Sequence, residues 1–261
     1  MESTKTALIT GASSGIGFEL ARCFARDGYR LILVARHAQD LNESAKALQS
    51  EFGAQIEIIP CDLSTHEGPQ QLYAETKRLG YQVDVLVNDA GFGEYGPFVE
   101  TDLQKELGMI HLNVLATVHL TKLFLKEMVA RNSGKILQLG SVVSFMPNPL
   151  QAVYAATKAF ILSFSEAVQN EIKDSNVTMT ILCPPATDTN FFHVAGAEDT
   201  KIAQGDLADP AKVAEEGYKG LMNGDKRVLP TMSAKMNFAS SALFPDSVLA
   251  TLMKTQMKEV K

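Results

Sequence analysis

A chain of 261 residues has room for one large α/β core or two small ones, and its 46% hydrophobic and 21% charged residues are ordinary for a globular protein. The net charge of −6 argues against a nucleic-acid partner, while three scattered cysteines and five histidines without ligand spacing suggest neither a disulfide framework nor a metal site. No apolar run approaches the ~20 residues of a bilayer span and the N-terminus MESTKTALIT does not suit a signal peptide, so the expectation is a cytoplasmic protein without a membrane partner.

Strand-like and helix-like segments alternate from the start. Residues 5–10 (KTALIT) read as a buried strand, and a glycine-rich turn over Gly11–Gly17 leads into a helix carrying Phe18, Leu20, Ala21, Phe24 and Ala25. Strand 30–35, helix 38–52, strand 55–60, helix 67–79 and strand 83–87 follow. A long helical stretch over 101–131 precedes strand 135–139. The run YAATKAFILSFSEAVQNEIK, free of internal Gly and Pro, predicts a helix over 154–173, and VTMTILC a strand over 177–183. Asn190–Leu207, with two glycines and several charges, has the composition of a substrate lid. Asp209 and Pro210 suit the N-cap and first turn of another helix, and RVLP (227–230) reads as a last strand. Near-continuous apolar strands alternating with helices predict one doubly wound parallel sheet covered on both faces. Residues 231–261 lie beyond it as two short amphipathic segments split by Pro245. They are expected to pack over the same domain or a neighbouring subunit, with a membrane-surface contact as the lesser alternative.

Four places carry chemistry. The turn Gly11-Ala12-Ser13-Ser14-Gly15-Ile16-Gly17 sits between the first strand and first helix, where glycines let a pyrophosphate approach free N–H groups. Arg36 ends the second strand where an acidic residue would hold a ribose 2′-hydroxyl; an arginine suits a 2′-phosphate and points to NADP(H) over NAD(H). Asp62, after the third strand, is placed for an adenine edge, with a plain turn role almost as good. Tyr154 and Lys158 are spaced i,i+4 and share a helix face. An ammonium beside a phenol favours the phenolate and would bring it towards neutrality, and Ser141, thirteen residues earlier, could hold the substrate oxygen.

Together these motifs resemble the short-chain dehydrogenase/reductase family over nearly the whole chain. Thr10–Gly17 looks like its T-G-x-x-x-G-x-G, and Asn88-Asp89-Ala90-Gly91 like its N-N-A-G with Asp89 for the second Asn. Asn113 in HLNVLAT falls at its catalytic asparagine; Ser141, Tyr154 and Lys158 match its serine and Y-x-x-x-K. Pro184–Thr189 resembles its P-G-x-x-x-T, with Pro185 for Gly. The resemblance implies a Rossmann-type sheet in the order 3-2-1-4-5-6-7 for residues 1–230, and NADP(H)-dependent exchange of a carbonyl and an alcohol. Catalysis would fall to Asn113, Ser141, Tyr154 and Lys158. The cofactor would be held by Gly11, Ser13, Ser14, Gly15, Ile16, Gly17, Arg36, Asp62, Leu63, Asn88, Ala90, Gly91, Tyr154, Lys158, Pro184, Thr187 and Thr189. Phe92, Phe145, Met146, Phe191 and Phe192 are the candidate pocket residues for an apolar ketone, aldehyde or alcohol. A 3-oxoacyl thioester substrate and a catalytically silent NADP(H)-sensing protein are the alternatives. A homodimer or homotetramer is implied, through helices 101–131 and 154–173.

Overall fold

β1 (Thr6–Thr10), β2 (Arg30–Ala35) and β3 (Ile56–Pro60) are apolar runs bounded by turn residues. So are β4 (Val85–Asn88), β5 (Gly134–Leu139) and β6 (Val177–Leu182), while β7 (Arg227–Val228) is a two-residue edge. Among the described residues, 4–260 of a computed structural model, these seven strands form one parallel sheet in the order β3-β2-β1-β4-β5-β6-β7. The anticipated order is therefore the observed one. β7 is shorter than its expected 227–230 because Pro230 has no N–H to give to a ladder.

Successive residues of each strand face opposite layers, so both must be covered. Ala7, Ile9, Leu31 and Leu33 share one core with α1 (Gly15–Arg26), α2 (Ala38–Phe52) and α8 (Pro210–Asn223). Leu8, Ile32 and Val34 share the other with α3 (Gly68–Arg78), α5 (Thr117–Ala130) and α6 (Ala152–Glu171). Phe24 is fully buried with Tyr29 and Tyr218 set edge-on at 5.1 and 4.9 Å, and the Tyr218 hydroxyl donates to Asp27. Truncating such a ring costs about 3–5 kcal/mol.

The helical stretch Leu103–Ala130 corrects the sequence expectation in two respects. By length and composition it could cross a bilayer, yet it lays Leu120, Phe124 and Met128 on the sheet. It is also three pieces: α4 (Leu103–Ile110), capped by Asp102, a π-helical turn over His111–Ala116, and α5. Such turns re-aim side chains locally, and this one carries Asn113.

After β7 the chain forms α9 (Met232–Leu243) and, past Pro245, α10 (Asp246–Gln256). Ala234 is buried against Val142, Val143 and Ala155. The Tyr95 hydroxyl donates to the Met257 carbonyl at 2.8 Å. The segment 190–207 contains α7 (Phe191–Ala195), and the tail holds it: Lys201 and Ile202 N–H groups donate to Lys258 and Gln256 carbonyls, and Val260 N–H to Asp199.

Candidate active site

The strand order reverses between β1 and β4, which opens a crevice at the carboxyl ends of the strands, the standard ligand position in such sheets. A cavity of about 720 Å³ lies there. Its first wall is the turn from β1 to α1. Gly11 and Gly15 have φ of +69° and +57°, a region that favours glycine. At Gly17 an added Cβ would stand 2.4 Å from the Gly11 carbonyl oxygen and 2.5 Å from Asp89 Oδ2. The α1 N-cap, Ser14, makes no side-chain cap bond, so the Gly15 and Ile16 N–H groups are left for an anion, while that of Gly17 is spent on Asp89. Thr10 ties this turn to the next strand: its hydroxyl donates to the Val87 carbonyl and accepts from Asp89 and Ala90 N–H groups, all at 3.1–3.2 Å. These residues fit a dinucleotide: a backbone cradle that side chains would fill, at a helix N-terminus, with exposed Arg36 at its outer edge.

Of the anticipated cofactor residues, Gly11, Ser13, Ser14, Gly15, Ile16, Arg36, Leu63, Ala90 and Gly91 line the cavity, as do Pro184, Thr187 and Thr189. Gly17 lies behind them in the first turn of α1. Two sit elsewhere. Asn88 is buried and donates to Thr121 and Gln138, bracing the sheet. The Asp62 carboxylate accepts from Ser64 N–H and hydroxyl, which pulls it below its ordinary range; it acts as a turn residue beside the cavity.

Ser141 and Tyr154 line the cavity, with buried Lys158 beneath them. Ser141 N-caps a 3-10 turn over Val142–Phe145 in which its hydroxyl accepts from Val143 N–H and Ser144 returns a bond to the Ser141 N–H. The Lys158 ammonium lies 5.8 Å from the Tyr154 ring centre but donates to the Leu139 carbonyl at 2.8 Å. This corrects the expected phenol. Burial pushes Tyr154 upward, a Ser141 hydrogen bond offsets part of that, and Asp89 adds to it. Burial also lowers Lys158 to about 8, against the pull of Asp89. Asp89 itself is raised to about 7 by burial, with Lys158 and a Gly17 N–H bond opposing, and its Oδ1 has no partner. Asn113 is locked to the Phe92 backbone, accepting its N–H at 3.2 Å and donating to its carbonyl at 3.0 Å, with a further bond to Thr157. Its Oδ1 and Lys158 Nζ flank Gly91, 2.9 and 3.7 Å from where a Cβ would stand.

Phe92, Met146, Phe191 and Phe192 line the cavity, and Phe191 rests on Tyr154 at 5.0 Å. Phe145 does not. The 3-10 turn rotates it outward, edge-on to Phe238 at 4.9 Å and under the Arg227 guanidinium. Sequence reasoning passed over Asn148, Gln151, Val194, Ile202, Met253 and Met257, which also line the cavity. Only the Asn-Pro turn signal before the Tyr154 helix hinted at the first two.

Comparison with known proteins agrees with this geometry. A family model described as short chain dehydrogenase matches residues 5–201. The bovine (Bos taurus) 3-oxoacyl-[acyl-carrier-protein] reductase is 30% identical over 213 residues, 81% of this chain and 88% of that one. A short-chain dehydrogenase from Sphingobium yanoikuyae, solved with NADPH, superposes with a TM-score of 0.81 at 30% identity, covering 96% and 95% of the two chains. The bulky-bulky ketone specific alcohol dehydrogenase from Comamonas testosteroni gives 0.79 at 28% identity over 96% and 94%. The chain belongs to the short-chain dehydrogenase family of oxidoreductases.

Proposed function

We propose that the protein is an NADP(H)-dependent oxidoreductase that interconverts an apolar ketone or aldehyde and its alcohol. The observation that carries this is the meeting of Ser141, Tyr154 and Lys158 at the inner end of a glycine-turn cleft whose outer edge holds Arg36. Among the similar proteins, one was solved with NADPH and another takes bulky ketones, which supports both halves of the reading.

The turn Gly11–Gly17 would hold the pyrophosphate against the α1 N-terminus, Arg36 the 2′-phosphate through its planar fork, and Thr187 and Thr189 the nicotinamide end. The cofactor's contribution is the hydride. The protein supplies everything else. Ser141 and Tyr154 hold the carbonyl oxygen, and Tyr154 protonates it as charge develops. A phenol held high by burial gives up its proton reluctantly, so turnover falls to the charge on Lys158 to stabilise the phenolate left behind. Asn113 keeps Phe92 and Gly91 in place beside that lysine. The same reading has the chain self-associating through the outer faces of α4 to α6, which expose Leu107, Leu115, Val129 and Phe160.

The direct test is loss of absorbance at 340 nm with NADPH or NADH against a panel of aryl and alkyl ketones and acetoacetyl thioester. Ketone-dependent oxidation preferring NADPH is expected. Tight NADPH binding without turnover of any carbonyl would replace the enzyme by a cofactor-sensing protein.

A further inference from the structure

Hydride chemistry gives Asp89 no role, yet its carboxylate is built into the base of the glycine turn. The residue leaves β4 at the crevice, its N–H donating to the Thr10 hydroxyl at 3.1 Å. Its Oδ2 lies 2.9 and 2.5 Å from where Cβ atoms on Gly11 and Gly17 would stand. The Gly17 N–H favours the charged form by a hydrogen bond, while Oδ1 is buried without a partner. Thr10–Gly17 itself carries no ionisable side chain. Two titratable groups face Asp89, both from α6. Lys158 favours the carboxylate but spends a hydrogen on the Leu139 carbonyl, and the Tyr154 phenol is the harder to ionise for the carboxylate's presence.

This carboxylate and a bound pyrophosphate would be two anions on one helix N-terminus, the first holding the Gly17 N–H and the second drawing on those of Gly15 and Ile16. Asp89 also borders the cavity, with part of its surface open to it, so some of its water comes from space that a dinucleotide would fill. Cofactor binding then acts on the carboxylate twice. It strips that water and it adds like charge, and both favour the neutral acid. In the free protein burial already raises this carboxyl to about 7, so near neutral pH a modest further push changes its state.

We propose that the dinucleotide binds together with one proton, which Asp89 takes from solvent as its carboxylate becomes a neutral carboxyl group. This rests on the dinucleotide reading of the cleft and not on the choice of substrate. The asparagine of the family pattern could take no proton, so the linkage belongs to the aspartate of this chain. Its sign follows from the direction of the change. Asp89 is ionised above about 7 in the free protein and only at higher pH in the complex. Uptake is therefore large near pH 8 and negligible near pH 5, where the carboxyl is neutral in both states.

Infrared difference spectra with and without NADPH read the carboxyl group directly, because the C=O stretch of a protonated acid lies above the amide bands and shifts in D2O. At pH 8 binding should create such a band, at pH 5 it should not, and Asp89→Asn should lack it at both. The cofactor's 2′-phosphate, His37 and Lys158 have no such stretch, so their own titration does not imitate it. Calorimetry on the same samples supplies the affinities. NADPH should bind Asp89→Asn about 3-fold or more tighter than the unaltered protein at pH 8, and within about two-fold at pH 5. That is the roughly ten-fold which one pH unit above 7 allows, less what a more weakly held proton on Lys158 takes back. NADPH binding without the band at pH 8, a band of equal size at both pH values, one that survives in Asp89→Asn, or no gain in affinity for that variant at pH 8 would each overturn the linkage and leave the cofactor reading intact. Failure of both NADPH and NADH to bind at either pH would overturn the cofactor reading, and the linkage with it.

Discussion

Asp89 stands where the family pattern has asparagine, and replacing it (Asp89→Asn) has a calculable consequence. Its carboxyl titrates near 3.8 ordinarily and near 7 in the folded chain, because burial disfavours the charged form more than Lys158 and the Gly17 N–H favour it. Between those values the unfolded chain is ionised and the folded one is not. The group's cost to the fold therefore grows as pH rises from about 4 and is complete above about 7. Three pKa units correspond to about 4 kcal/mol, an upper bound on that cost. Asparagine keeps an acceptor for Gly17 and has no charge to bury, so the variant should match the unaltered protein at pH 4 and gain on it steadily up to pH 8. At roughly 2–4 °C per kcal/mol for a chain of this size, the gap in melting temperature at pH 8 should be several degrees. The substitution also removes the charge that holds Lys158 up, so the alkaline limb of the pH–kcat/KM profile should move below about 8. Melting curves from pH 4 to 8 for both proteins provide the assay. Parallel curves, or a gap that narrows as pH rises, would refute the reasoning.

Three further outcomes follow from single contacts. Gly17→Ala would push a methyl group to 2.4 Å from the Gly11 carbonyl oxygen, so despite alanine's better helix propensity it should cost about 1–3 kcal/mol and weaken NADPH binding at least ~10-fold by calorimetry. Arg36→Ala should raise KM for NADPH by ~10-fold or more and leave KM for NADH within about two-fold, because only the 2′-phosphate loses a partner. Phe145→Ala should lower stability by about 1–3 kcal/mol in urea melts through its lost contacts with Phe238 and Arg227, with no change in KM for ketones, since the ring faces away from the cavity.

Local pattern carried the sheet: buried strands such as β1 and β2 are unbroken apolar runs, and the glycines at 11, 15 and 17 mark the turn between strand and helix. The shared face of Tyr154 and Lys158 was equally legible from their spacing. What stayed hidden depends on contacts distant in sequence. The Lys158 ammonium engages the Leu139 carbonyl, nineteen residues away, and burial rather than that charge dominates the phenol. Met253 and Met257 reach the cavity because the tail wraps back over segment 190–207 through backbone bonds that no periodicity announces. Phe145 and Met146 are neighbours in sequence, and only the 3-10 turn after Ser141 decides which of them faces the cavity. The left-handed Leu150, which joins Asn148 to Gln151, breaks the usual residue preference at such a position and so gave no signal.

The central claim is that the Tyr154 phenol moves the proton, and Tyr154→Phe tests it most directly. Single-turnover reduction of a ketone, with NADPH affinity measured in parallel, should show a rate at least ~100-fold below the unaltered protein and a cofactor Kd within about three-fold of it, the loss expected when acid–base help alone is removed. Reduction at an undiminished rate by the phenylalanine variant would contradict the account.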